Sequence, residues 1–297
     1  MADGNDKGTL GFIGLGVMGS SMAARLLAAG YPLRVHTRTR AKAEPLLAKG
    51  AQWAGSPAEA AAGARAVITM LGFPEDVEAV YFGAGGLLSG GGAARGSLLV
   101  DMTTTRPALS RRIHAEAAHR GVGALDAPVS GGDVGAREGK LSIMVGGEEG
   151  DFQAALPVFQ VLGARMVLQG GAGSGQRVKL SNQIAVFGNT LGTCEALAFA
   201  VRAGLDPAKV LESIGAGAAS SWALANLAPR VLAGDFAPGF FVRHFLKDIG
   251  LALEEAQSLG WRAPGLSLAG ELYGKLAEAG LGDRGTQALY QLLAGKV

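Results

Sequence analysis

The sequence predicts two halves of different class: an α/β domain over residues 1–170, then an all-α domain over residues 171–297 built on one long interdomain helix. Three observations predict it. From Thr9 to about Leu168, short β-branched or apolar runs alternate with Ala- and Leu-rich amphipathic stretches, the pattern of strands and crossover helices around a parallel sheet. The texture changes at Gly170-Gly171-Ala172-Gly173-Ser174-Gly175, after which Gln176 to Ala203 runs without proline in one helical pattern, ended by Gly204 and Pro207. Beyond that helix the strand signal disappears.

The candidate strands, in order, are Leu10–Ile13, Leu33–Thr37, Ala66–Leu71, Ser97–Met102, Ala124–Asp126, Leu141–Val145 and Arg165–Leu168. A helix over Gln176–Ala203 is roughly 42 Å long at 1.5 Å per residue, too long for one face of an ordinary sheet layer, so it is read as the spine of the second domain. Pro207–Ala216, Ala219–Ala233, Val242–Leu259 and Leu266–Ala279 follow as helices.

Length and composition set the class. At 297 residues, 48% hydrophobic and 18% charged, with a net charge of +2 and no long basic run, the chain fits a soluble globular enzyme and excludes a nucleic-acid partner. Cys194 is the sole cysteine, so no intramolecular disulfide forms, and it reads as a small helix-core residue. The polar stretch Met1–Lys7 lacks the features of a secretory signal, and no run of about 18 consecutive apolar residues occurs. A cytoplasmic protein with no membrane partner is the expectation. The four histidines form no cluster with Cys or acids, so no metal is expected.

The strongest motif is Gly14-Leu15-Gly16-Val17-Met18-Gly19, directly after the first strand and opening an amphipathic stretch. Gly14 permits a tight turn, Gly16 lets backbone approach a pyrophosphate, Gly19 allows close helix–strand packing, and the helix N-terminus offers N–H groups to the anion. About 20 residues on, where an acid would grip the ribose 2′-hydroxyl of NAD, the second strand ends instead in His36-Thr37-Arg38-Thr39-Arg40. Arg38 with Thr39 suits a 2′-phosphate, which favours NADP and leaves NAD use open; the same arginines also fit a solvated turn. Met70-Leu71 and the threonines of Asp101-Met102-Thr103-Thr104-Thr105 fall at later strand ends, the ligand edge of such sheets. There the threonines either cap the helix near Pro107 or line a cofactor cleft, with Thr104 nearest the ligand.

Ser130, Gly131 and Gly132, within Asp126-Ala127-Pro128-Val129-Ser130-Gly131-Gly132, place a hydroxyl and successive backbone N–H groups in a turn that suits a carboxylate. Lys179, Asn182 and Gln183 stand at i, i+3 and i+4 on one face of the long helix. A lysine buried there beside a ligand suits proton transfer; a snorkelling surface lysine is the alternative. Lys247 either closes over a ligand or begins a solvated face with Asp248, and His244 is read as a packing residue.

Four pieces carry a resemblance: the glycine motif, the Asp126–Gly132 stretch, Gly170-x-x-Gly173-x-Gly175-x-x-x-Lys179-x-x-Asn182, and Lys247-Asp248. Together the chain resembles the β-hydroxyacid dehydrogenase family, which includes 3-hydroxyisobutyrate dehydrogenase, tartronate semialdehyde reductase and the glyoxylate or succinic semialdehyde reductases. The stretch from Gly135 to Gly147 looks most like tartronate semialdehyde reductase. The resemblance implies an N-terminal Rossmann domain, a helical C-terminal domain and a homo-oligomer, dimer or tetramer. It also implies Lys179 as the catalytic residue, Ser130 to Gly132 and Asn182 at the substrate, and Thr104 and Lys247 beside the cofactor. The chain departs from NAD-preferring members at His36-Thr37-Arg38-Thr39, which looks like the Asn-Arg-Thr of NADP-preferring ones. Two rivals remain: 6-phosphogluconate dehydrogenase, whose helical half is larger, and a non-catalytic NADP-binding sensor or structural protein, which does not require Lys179 and Asn182 on one face.

Overall fold

The computed structural model describes residues 7–89 and 91–296; the polar stretch 1–7, read above as lacking a signal, lies outside them except for Lys7. Two compact units result, one ending at Lys179 and one beginning at Leu180.

The first unit alternates strands and helices: β1 (Leu10–Ile13), α1 (Val17–Ala28), β2 (Leu33–His36), α2 (Glu44–Leu47), β3 (Gln52–Trp53), α3 (Pro57–Ala61), β4 (Ala66–Thr69), α4 (Pro74–Phe82), β5 (Leu98–Asp101), α5 (Pro107–His119) and β6 (Gly123–Asp126). These strands form one six-stranded parallel sheet in the order β3-β2-β1-β4-β5-β6. Residues of β1, β4 and β5 are buried throughout, as a sheet covered on both faces requires. Their alternation assigns the faces: Leu10, Phe12, Ile68 and Val100 join one core cluster, while Ile13, Val67 and Leu99 join the other.

The chain then builds β7 (Val129–Ser130), α6 (Gly132–Glu138), β8 (Leu141–Val145), α7 (Glu149–Leu162) and β9 (Gly163–Leu168). Here β8 pairs antiparallel with β7 and parallel with β9, and a bridge between Asp126 and Gly146 joins this small sheet to the end of β6. The late strands expected from sequence therefore belong to a second sheet. The two-residue strands β3 and β7 escape any periodicity argument because they complete no alternation.

The second unit is helical: α8 (Ser174–Arg202, which begins in the first unit), α9 (Pro207–Gly215), α10 (Trp222–Asn226), α11 (Ala228–Leu232), α12 (Val242–Ser258), α13 (Pro264–Glu278) and α14 (Leu289–Leu293). The single helix expected over Ala219–Ala233 is two, because Pro229 cannot donate within a helix and instead sits in the first turn of α11. By length and composition α8 would reach across a membrane. Its residues Leu180, Phe187, Cys194 and Leu197 are instead core members, packed in one cluster with Phe245, Leu266 and Tyr273. Cys194 is buried, and that burial pushes its thiol up to about 12.

Candidate active site

The carboxyl ends of β1, β2 and β4 meet through the backbone: Gly14 N–H donates to His36 O, and Met70 N–H donates to Ile13 O, each at 2.9 Å. Within this frame the three glycines of the turn have separate reasons. Gly14 has φ +98°, and a Cβ there would lie 2.2 Å from Met70 O. At Gly19 a Cβ would lie 1.9 Å from Gly14 O, so α1 packs directly under the turn. At Gly16 a Cβ would meet nothing within 4 Å. That opening faces the start of α1, whose cap makes no side-chain hydrogen bond and whose first turn carries no acid. Open space, backbone N–H groups and the positive end of the helix dipole fit a dinucleotide pyrophosphate. Leu15 is buried beneath, while Val17 is exposed and Met18 half-buried.

After β2, Arg38 is exposed and its Nη1 pairs with Asp76 Oδ1 at 2.9 Å. Thr39 begins a short 3₁₀ turn without a capping bond. Arg40 is turned toward Glu44 and the Trp53 ring.

A buried network that sequence reading missed supports the ends of β4 and β5. Thr69 Oγ1 donates to Asp101 Oδ1 at 2.8 Å and is 3.1 Å from Tyr81 Oη; Thr103 N–H also donates to Asp101 Oδ1, at 3.1 Å. Thr103 Oγ1 accepts from Leu71 N–H at 2.9 Å, which fixes the half-buried Met70-Leu71 loop. Of the three consecutive threonines Thr104 alone is not buried, and the cap of α5 is Arg106, so the capping role weighed for them is not taken.

Burial pushes the Asp101 carboxyl up to about 6, although hydrogen bonds from Thr103 and Thr69 pull it down, and its Oδ2 has no hydrogen-bond partner among the described residues. Because the folded value lies above the ordinary one of 3.8, this group's stabilising contribution is complete below pH ~4 and is lost as pH rises through about 6. Asp101→Asn is therefore expected to melt above the wild type at pH 8. The gain is ~1–2 kcal/mol, the ~3 kcal/mol relief of a buried charge being offset by an unpaired amide N–H. The difference in melting temperature should shrink as pH falls to 4; a variant less stable than wild type at pH 8 contradicts this account.

The end of β6 holds the start of α8. Asp126, buried and raised by desolvation, accepts from Gly173 N–H at 2.7 Å and Gln176 N–H at 2.9 Å, bonds that act against the rise. Gln176 is fully buried; its Oε1 accepts from Thr105 N–H at 2.9 Å and its Nε2 donates to Thr103 O at 2.8 Å. A Cβ at Gly175 would lie 2.4 Å from Met144 O, so this turn presses against the strands. Lys179, one turn further, is 7% exposed; the surface alternative is thereby excluded. The same strand end leads into Ser130, half-buried opposite Ser142, and the exposed Gly131 and Gly132, whose φ values of +130° and +62° turn the backbone into α6.

In the second unit Asn182 Nδ2 donates to Gln183 Oε1 at 2.8 Å, and Gln183 Nε2 donates to Asp248 Oδ2 at 2.5 Å. Lys247 Nζ lies 2.9 Å from Asp248 Oδ1, and both side chains are largely withdrawn from solvent, so no solvated face starts there. His244 packs edge-on against Phe241. Among the described residues no group of three or more His, Cys, Asp or Glu is arranged to hold a metal.

Comparison with known proteins agrees with this geometry. The NAD-binding domain model of 6-phosphogluconate dehydrogenase matches residues 9–171, and the model for the NAD-binding domain of NADP-dependent 3-hydroxyisobutyrate dehydrogenase matches residues 173–293. The Bacillus subtilis oxidoreductase YkwC is 52% identical over 96% of this chain and 99% of its own length. The 2-hydroxy-3-oxopropionate reductase of Escherichia coli is 39% identical over 96% of each chain. The solved structure of Mycobacterium tuberculosis 3-hydroxyisobutyrate dehydrogenase with L-serine superposes with a TM-score of 0.87 at 33% identity, covering 96% of this chain and 99% of that one. With the Rossmann sheet, the glycine turn and relatives aligned over nearly their whole length, the chain belongs to the β-hydroxyacid dehydrogenases, NAD(P)-dependent oxidoreductases that act on hydroxyl groups.

Proposed function

We propose that the chain is an NADP-dependent β-hydroxyacid dehydrogenase or semialdehyde reductase. Its substrate is a small carboxylated aldehyde or 3-hydroxy acid, of the tartronate semialdehyde, 3-hydroxyisobutyrate, succinic semialdehyde or glyoxylate type. The observation that carries the reading is Lys179: a buried lysine on a helix whose first turn is clamped to the ends of β5 and β6. In this reading residues 1–170 bind the cofactor and 171–297 serve substrate binding and assembly of a homo-oligomer in the cytoplasm.

The turn Gly14 to Gly19 holds the pyrophosphate, Arg38 and Thr39 hold the 2′-phosphate, and Met70, Leu71, Thr104 and Lys247 lie along the rest of the cofactor. When bound, the nicotinamide accepts or delivers the hydride. Ser130 with the N–H groups of Gly131 and Gly132 holds the substrate carboxylate, as successive N–H groups in a glycine turn hold anions. Lys179 Nζ gives its proton to the alkoxide formed in reduction and takes it from the hydroxyl in oxidation, while the Asn182 amide orients the reacting oxygen. A lysine suits the task because its ammonium both donates a hydrogen bond to developing negative charge and can release the proton.

Steady-state assays against a panel of C2 to C4 semialdehydes and hydroxy acids, with NADPH and NADH in parallel, test the proposal. Turnover with a higher kcat/KM for NADPH is the expected result. Tight NADPH binding with no turnover on any member points to the sensor instead, and a higher kcat/KM for NADH removes the assignment of Arg38.

A further inference from the structure

The order β3-β2-β1-β4 puts the ends of β2 and β4 on either side of β1, whose glycine turn forms the cradle for the cofactor. Arg38 follows β2, and Asp76 stands in the first turn of α4, which follows β4. Their ion pair at 2.9 Å therefore reaches across the outer end of the glycine turn. No acid ends β2, yet the pair brings a carboxylate to the guanidinium there from 38 residues away. The Asp76 side chain is only 21% exposed against 86% for Arg38, so the carboxylate is the more buried member of the pair and the guanidinium stands open to a ligand. Arg40 is turned to Glu44 and Trp53, and the α4 acids Glu75 and Glu78 pair with Arg106 and Arg112, so within the turn after β2 Arg38 is the guanidinium paired with Asp76.

We propose that Asp76 is a specificity-determining residue that moderates the NADP preference, supplying from α4 the carboxylate that the end of β2 lacks. The inference rests on the reading of Arg38 as the 2′-phosphate residue. A guanidinium has five N–H donors, and the pair with Asp76 uses one side of it, so Arg38 can hold a phosphate while Asp76 stays close. The phosphate dianion then meets a like charge on the same guanidinium. NAD meets the opposite situation, because its 2′-hydroxyl finds in the carboxylate an acceptor. Arg38 thus raises affinity for the phosphorylated cofactor, and Asp76 lowers it.

Titration of the intact protein with NADPH and with NADH, followed by nicotinamide fluorescence, tests this without any turnover. Asp76→Asn keeps an acceptor oxygen and removes the charge. It is expected to tighten NADPH binding roughly three- to tenfold at low ionic strength and to change NADH binding by less than about twofold, and the gain should fade at about 1 M salt. Asp76→Ser, measured in parallel, is expected to tighten NADPH in the same way. Equal changes for the two cofactors, or weaker NADPH binding in both variants, overturn the proposal: Asp76 would then serve only to order Arg38. Arg38→Ala separates the two levels of the argument. It is expected to weaken NADPH by about tenfold or more and to leave NADH nearly unchanged. If instead NADPH binding survives that substitution, the reading of Arg38 fails and the role of Asp76 falls with it; if only the Asp76 variants fail, Arg38 stands alone.

Discussion

Lys179→Met is expected to lower kcat by about 10²–10⁴-fold, the range that a positioned general acid–base supplies, while the Kd for NADPH stays within about twofold. Methionine keeps an unbranched apolar stem in a place that is 7% exposed, so the packing of α8 survives and the loss reports the ammonium. Lys179→Arg separates charge from proton transfer, since a guanidinium keeps the positive charge but does not release its proton near neutral pH. If proton transfer is the role, the arginine variant stays slow. Recovery of most of the activity in it would mean that charge alone suffices, and a methionine variant within about fivefold of wild type would move the proton transfer to another group.

What is legible in the sequence alone follows a physical divide. The glycine turn was legible because each of its requirements is local: a positive φ at Gly14, open space at Gly16 and contact at Gly19 all arise within six residues. The long helix was legible because nothing between Gln176 and Ala203 interrupts it. Asp101, Asp126 and Gln176 carried no local signal as structural partners. Gln176 meets Thr103 from 73 residues away and Asp126 from 50, while Thr69 meets Asp101 from 32, so their roles exist only once the strands are in register. Arg38 could be picked out as a cation in a cofactor position, but its partner in α4 could not, since it arises from the order of strands in the sheet. Pro229 does carry a local signal for the break between α10 and α11, because a proline favours the first turn of a helix over its interior.

The network also explains why Gly173 and Gly175 belong to the same pattern as Lys179. Gly173 N–H and Gln176 N–H are two of the donors that a helix start leaves without internal partners, and one buried carboxylate satisfies both. A side chain at Gly175 would force α8 away from Met144 O and Asp126 O, lengthening those bonds and moving every residue after them. The register of Lys179 is thus set by contacts that precede it by one turn, and the amide of Gln176 ties that turn to the threonines at the end of β5.

Gly19→Ala and Gly16→Ala form a pair whose contrast is the second large effect. At Gly19 the added methyl would stand 1.9 Å from Gly14 O and 3.3 Å from the Phe12 ring. The first is backbone, and the turn cannot yield, because Gly14 N–H is bonded to His36 O and Gly14 already lies against Met70 O. The strain must therefore move α1, the helix that presents its N–H groups to the pyrophosphate. Gly19→Ala is expected to lose about 1–3 kcal/mol of stability, as overpacking does, and to weaken NADPH by about 100-fold or more as the N–H groups lose their aim. At Gly16 the backbone is extended, with φ −76°, a conformation open to alanine, and the methyl would enter empty space. Thermal melting should then show a cost of about 1 kcal/mol or less, that of alanine at a helix cap. Binding should nonetheless fall by about tenfold or more, because that space is where a pyrophosphate must approach the backbone. Alanine at Gly16 with wild-type affinity for NADPH would mean that the opening over α1 is not the cofactor cradle, whatever the result at Gly19.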